Sequence, residues 1–219
     1  TFGCLGRDAT WPGHVFNWQV LVGPGGDVVD VHWKQRNVRG MFPGSENFTT
    51  TIYDVLDEYV ERYGWDRVVP VARTDIGNIA MSAVQFEPEL FRCMALKGAE
   101  ILIYPTAIGW HPEEKATVGE RQHDAWELAQ RAHAVANGCY VLSINRTGFE
   151  PDPTGTGGIE FWGQSFAVAP DGGILVRGPA DAEAILELEL NTDAIEAFRI
   201  GWPFLRDRRI DAYEDITRR

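Results

Sequence analysis

Cysteine is scarce in this chain of 219 residues: there are three, Cys4, Cys93 and Cys139, and they follow no pairing pattern. That count excludes a disulfide framework and suggests reduced thiols in a cytoplasmic protein. Long apolar runs are missing as well. None approaches a membrane span, and the opening TFGCLGRDATWPGHVF has neither the basic nor the apolar part of a signal peptide. Positive charge is short, with 20 Lys and Arg against 32 Asp and Glu, a net charge of −12 and a pI near 4.8. Such a surface repels phosphate backbones and anionic lipid, so nucleic acid and membrane are poor partners. The five histidines, His14, His32, His111, His123 and His133, form no H-E-x-x-H pattern, and no cysteine pair has zinc spacing. No metal and no cofactor are expected.

What is present is 44% apolar residues without a low-complexity tract, the composition of a globular chain. The opening segment reads as a loop, and Val15 to Trp33 as a hairpin around PGGD. A loop rich in Gly, Pro and Asn follows Lys34. Ile52, Val55, Leu56, Tyr59, Val60 and Tyr63 fall at helical spacing, with Gly64 as the stop. RVVPVA, IGNIAMS, EILIYPTA and CYVLSIN read as strands, PELFRCMALKGA as a helix, and the stretch from about Glu113 to Asn137-Gly138 as a long helix. FWGQSFAVA, PDGG and ILVRGPA suggest a second hairpin, EAILELEL a further strand, and NTDAIEAFRIGW a last helix before the basic RDRR. Strands alternating with helices predict an α/β fold with a mixed sheet. There is no internal repeat and no linker, so residues 1–219 read as one domain with a C-terminal tail from about 203 to 219.

The glycine-rich GPGG, GTGG and PDGG match no phosphate-binding loop and read as turns. GQSFA around Ser165 leads into a strand, so no exposed nucleophile elbow is expected there. Ser82 has a better context. It closes the apolar run of IGNIAMSAVQFEPELF just before Pro88-Glu89, which has the composition of a helix start. Backbone N–H groups beyond a strand-to-helix corner are suited to binding an oxyanion. On local grounds alone, a serine ending a strand is more often structural.

FRCMALKGAEILIYPTAIGW, read with Pro88-Glu89, resembles the nitrilase superfamily of carbon–nitrogen hydrolases, with the N-carbamoyl-amine amidases and aliphatic amidases most similar. FNWQVLVGPGGDVVDVHWKQ is similar to the family hairpin leading into its catalytic lysine. AWELAQRAHAVANGCYVLSINRTG resembles its long helix and next strand, with Asn137 and Arg146 at matching places. FWGQSFAVAPDGGIL and AIEAFRIGWPFLRDRRIDAY match its late hairpin and C-terminal helix. The likeness runs from about Phe16 to Tyr213. It implies a nitrilase-like α-β-β-α sandwich with mixed sheets and acyl transfer from a small linear amide or N-carbamoyl amine. It assigns Lys34 as the cation at the tetrahedral intermediate, Ser82 to the nucleophile position and the Ala83 N–H to the oxyanion. Tyr104, Trp110 and Trp162 are expected to line the pocket, and a homodimer or larger homo-oligomer is expected.

Three departures accompany the resemblance. The family nucleophile is a cysteine, and a hydroxyl depends on its base far more than a thiol does. Ala83 and Val84 stand where relatives carry an aromatic or acidic residue and then an acidic one. The family's base glutamate belongs to an N-terminal strand–helix segment with no counterpart here, so the domain is expected to be N-terminally incomplete; QRNVRGMFPG also lacks the second acid. His14 or His32 is a candidate activator. Ser82 as a trap mutation, as a working serine nucleophile, or as the mark of a non-catalytic binding or assembly protein all stay open.

Overall fold

Alternation of β-branched and aromatic residues builds the first sheet. The computed structural model describes residues 1–37, 49–153, 155 and 157–218, and the loop after Lys34 lies outside them from residue 38 to 48, as do Thr154 and Thr156 of the loop containing GTGG. Phe16–Val22 (β2) and Val28–Trp33 (β3) form the expected hairpin, with Trp18 opposite Trp33. The opening segment corrects the loop expectation: Phe2–Gly6 (β1) pairs antiparallel with β2. FGCLG carries little strand signal of its own, and its ladder depends on β2, ten residues and more downstream.

The second sheet has six strands, Ala72–Thr74 (β4), Gly77–Met81 (β5), Ile101–Pro105 (β6), Tyr140–Ile144 (β8), Phe166–Val168 (β11) and Ile174–Arg177 (β12). Their order is β12-β11-β8-β6-β5-β4. β5, β6 and β8 run parallel and the outer pairs antiparallel. Of RVVPVA only Ala72 is in a strand. Gly109–Trp110 (β7), Thr147–Pro151 (β9) and Gly158–Trp162 (β10) make a third, small antiparallel sheet. The late hairpin is therefore shorter than expected. PDGG joins β11 to β12, but Phe161 and Trp162 belong to β10, and Gln164 at φ 53° interrupts the run. EAILELEL is not a strand: no neighbour pairs with it among the described residues, and Ile185 stands 90% exposed.

The helices follow their sequence signals closely. Leu56–Tyr63 (α1) continues a 3-10 turn over Ile52–Val55 and stops at Gly64. Pro88–Leu96 (α2) and Pro112–Asn137 (α3) both begin on proline, where the missing N–H costs nothing, and α3 ends on Gly138 in the left-handed region. Asp193–Gly201 (α4) has its first N–H accepted by Asn191 Oδ1 at 2.9 Å. Among the described residues no helix is long and apolar enough to cross a membrane.

Strand parity then sorts the layers. Ala80, Leu102, Tyr104 and Val141 face α2 and α3, packing on Phe91, Met94 and Trp126. Ile79, Met81, Ile101 and Ile103 face the other way, onto Leu21 of β2. Beyond the first sheet, Trp11, Phe16, Trp33 and Tyr59 form a third cluster against α1. The result is an α-β-β-α stack. Burying one tryptophan such as Trp126 takes about 200 Å² from water, roughly 5 kcal/mol at 25 cal/mol per Å² before entropy.

Candidate active site

The three parallel strands bring their carboxyl ends to one edge, the edge at which α/β sheets leave loops and unpaired backbone to meet ligands. β5 ends there at Met81. The Ser82 N–H still donates to the Ile103 carbonyl at 3.2 Å, and the chain then turns toward α2. Ser82 is 1% exposed. Its hydroxyl donates to the Val84 carbonyl at 3.2 Å and accepts the Val84 N–H at 3.1 Å, a tight local turn. The Ala83 N–H makes no hydrogen bond among the described residues, while the Ala83 carbonyl accepts from Gln85 Nε2. An amide left open beside a serine at this corner has the donor geometry an oxyanion needs.

Lys34 directly follows β3. Its N–H donates to the Asn17 carbonyl at 2.9 Å and its carbonyl accepts the Ile52 N–H at 3.3 Å. Strand parity places Asn17, Gln19, His32 and Lys34 on the inner face, toward the six-stranded sheet. Burial pulls the Lys34 amine down to about 8, and the Glu87 carboxylate opposes that pull. His32 is buried deeper, and desolvation, aided by the charge of Arg67, pushes it down to about 3. It is therefore neutral. His14 bonds Thr50 Oγ1 at 2.9 Å and stacks on Phe16. Neither histidine is hydrogen-bonded to Ser82, whose hydroxyl is taken up by Val84.

Two charged residues that the sequence reading left aside meet here. Arg36 donates from Nε to Glu87 Oε1 at 2.6 Å, with its Nη2 at 2.5 Å from the same oxygen. The pair ties the exit of β3 to the corner between β5 and α2. Its only sequence signal was an acid five residues after Ser82 and a base two residues after Lys34.

The three aromatics expected to line the pocket are not brought to Lys34 and Ser82. Tyr104 is fully buried on the helix face of β6, against Phe91 and with His133 Nδ1 at 3.3 Å from its hydroxyl. Trp162 is core, packed on Trp126, His123 and Trp110, whereas Trp110 itself is half-buried and donates to the Gly119 carbonyl at 2.9 Å. Parity is the reason for Tyr104: odd-numbered Ile101 and Ile103 face the site side of β6, and residue 104 cannot. Asn137 caps α3 on the His133 carbonyl, and Arg146 pairs with Glu150 at 2.6 Å while lying 4.2 Å over Phe161.

No cysteine occupies the corner. Cys4 is in β1, Cys93 is exposed on α2, and Cys139 is buried before β8, at the opposite end of the parallel strands. Its thiol donates to the Ala99 carbonyl at 3.2 Å, and burial pushes it up despite Arg199 at 3.1 Å. Two open grooves lie elsewhere: one of about 320 Å³ bordered by Asn145, Arg146 and Ser165, and one of about 500 Å³ bordered by Glu100, Asp193 and Arg199. Neither is lined by Lys34 or Ser82. Among the described residues no group of three His, Cys, Asp or Glu is placed to hold a metal ion.

A stacked α-β-β-α fold with a serine corner and a buried lysine between its sheets defines a class before it defines a protein. The sequence profile of the carbon–nitrogen hydrolases matches residues 1–200, and the chain belongs to that family. It is 38% identical over 139 residues to an N-carbamoylputrescine amidase of Solanum tuberosum, covering 63% of this chain and 45% of that protein. It is 35% identical over 135 residues to a citrullinase of Francisella tularensis, covering 62% of this chain and 46% of that protein. The crystal structure of a carbon–nitrogen hydrolase from Helicobacter pylori G27 superposes with a TM-score of 0.86 at 36% identity, covering 99% of this chain and 70% of that one. The chain thus spans a little under half the length of the curated relatives it matches.

Proposed function

We propose that the protein is an amidase-like carbon–nitrogen hydrolase acting on a small linear amide or N-carbamoyl amine through an acyl-enzyme. The observation that carries this reading is the pairing of family membership with a buried lysine and an open amide, Lys34 and Ala83 N–H, at the strand-end corner. Two relatives, by name an N-carbamoylputrescine amidase and a citrullinase, favour a linear amine bearing an N-carbamoyl group. In the proposed step the Ser82 hydroxyl oxygen bonds the carbonyl carbon and gives its proton to a base. Lys34 and the Ala83 N–H hold the oxyanion, and the C–N bond breaks as the leaving nitrogen takes a proton. Water then cleaves the ester and restores the hydroxyl. Cytoplasmic location, a single domain over 1–219 and homo-oligomerisation belong to the same reading.

A second reading is favoured by one observation: both hydrogen bonds of the Ser82 hydroxyl go to Val84, and no base reaches it among the described residues. A nucleophile so engaged suits a non-catalytic binding or assembly module. Ammonia or amine release from a panel of linear amides and N-carbamoyl amines, run beside calorimetric binding of the same compounds, separates the two. Release supports the hydrolase; binding without release by the full-length protein contradicts it.

A further inference from the structure

We propose that Gln85 is a positioning residue for the Ala83 N–H: its carboxamide, bound to the Ala83 carbonyl, fixes the turn that presents this amide beside Ser82. The inference rests on the reading of the Ser82 corner as the acyl-transfer site. Each peptide unit of that corner is planar and turns as a body. The unit entering Ser82 is held, because its N–H donates to the Ile103 carbonyl at 3.2 Å. In a parallel pair the Ser82 carbonyl would next accept the N–H of residue 105, and Pro105 has none to give. The ladder therefore stops at Ser82. The Ser82–Ala83 unit is left with neither its carbonyl nor its N–H bonded among the described residues.

The next unit, Ala83–Val84, is held at both ends. Its N–H donates to the Ser82 hydroxyl at 3.1 Å, and its carbonyl accepts from Gln85 Nε2. Only the NH2 end of a carboxamide can face a carbonyl, so chemistry fixes the direction of this bond. Gln85 is 4% exposed, and its side chain makes no other hydrogen bond among the described residues. A buried carboxamide committed to a carbonyl two residues back locks the turn rather than the core around it. Beyond it, the Glu87 carbonyl accepts the Leu90 and Phe91 N–H groups at 3.1 and 3.4 Å, where α2 begins. A free unit between two held ones keeps its N–H aimed but unengaged, the preorganisation an oxyanion donor needs.

The test is hydrogen exchange of the Val84 amide, followed by NMR. This N–H shares a peptide unit with the Ala83 carbonyl and so reports any opening of the turn. Gln85→Met keeps the length and the burial and removes the donor, and Gln85→Leu is a second variant of the same kind. Either should speed Val84 exchange about fivefold, the effect of one lost hydrogen bond, with the Leu102 amide of β6 exchanging as in the parent. Turnover of an N-carbamoyl amine should fall about tenfold in kcat with KM unchanged, because the donor is displaced and not the binding surface. Val84 exchange unchanged in a folded variant overturns the proposal, and so does equal acceleration at Leu102, which marks general loosening. Exchange is read without turnover. A parent that hydrolyses nothing, with the Val84 shift intact, supports the positioning and removes the hydrolase reading alone.

Discussion

The parallel strands β5, β6 and β8 have two ends, and the chain treats them oppositely. At the amino end sits a thiol, Cys139, the atom type its relatives' chemistry calls for, yet it is buried against Ala99 and Arg199 and its ionisation is suppressed. At the carboxyl end sits only a hydroxyl, Ser82, but with an open amide beside it and with the Arg36–Glu87 pair tying the exit of β3, where the buried Lys34 lies, to the same corner. On the proposed reading, reactivity follows the site and its electrostatics rather than the intrinsic nucleophilicity of a side chain. The thiol is bonded into the fold, whereas the hydroxyl stands next to an amide with no hydrogen bond among the described residues.

The sharpest way to break that comparison is at the carboxyl end. Lys34→Ala should lower kcat by about 10²–10³ with the protein still folded, the loss typical of one oxyanion donor; a steady-state assay with the best amide checks it. At the amino end, Arg199→Ala removes hydrogen bonds to the Asn137 and Ala99 carbonyls. It should cost about 2 kcal/mol in urea unfolding and leave turnover per folded molecule unchanged. The pH profile gives a smaller effect with a definite sign. Lys34 is charged below about 8, so activity should fall about tenfold per unit above that. Because the unfolded lysine keeps its proton up to its ordinary pKa of 10.5, the same group makes stability rise with pH between about 8 and 10.5. Smallest of all, Cys139→Ser should alter turnover by less than about twofold, since the proposed reacting atoms lie at the other end.

Much of this was legible in the sequence. Pro88 and Gly98 framed α2, Gly138 ended α3, and the corner at Ser82 was placed by the apolar run before it. Local chemistry fixes such features. What stayed hidden depends on partners far along the chain. The strand status of FGCLG comes from β2, and EAILELEL alternates like a strand but meets no neighbour to complete one. Tyr104 carried the right residue type for a pocket, but only the register of β6 on β8 shows that it faces the helices. Arg36 and Glu87 lie 51 residues apart, and nothing local to either announces the other.

One measurement bears most directly on the claim that the β5–α2 corner is the reacting site. Ser82→Cys restores a thiol at that corner without adding a base. Incubated with N-carbamoyl amines and linear amides, then examined by intact mass and peptide mapping, it should accumulate an acyl adduct on residue 82 and none on Cys139. An adduct on Cys93 or Cys139 alone, or no adduct and no turnover in the full-length protein, would contradict the account.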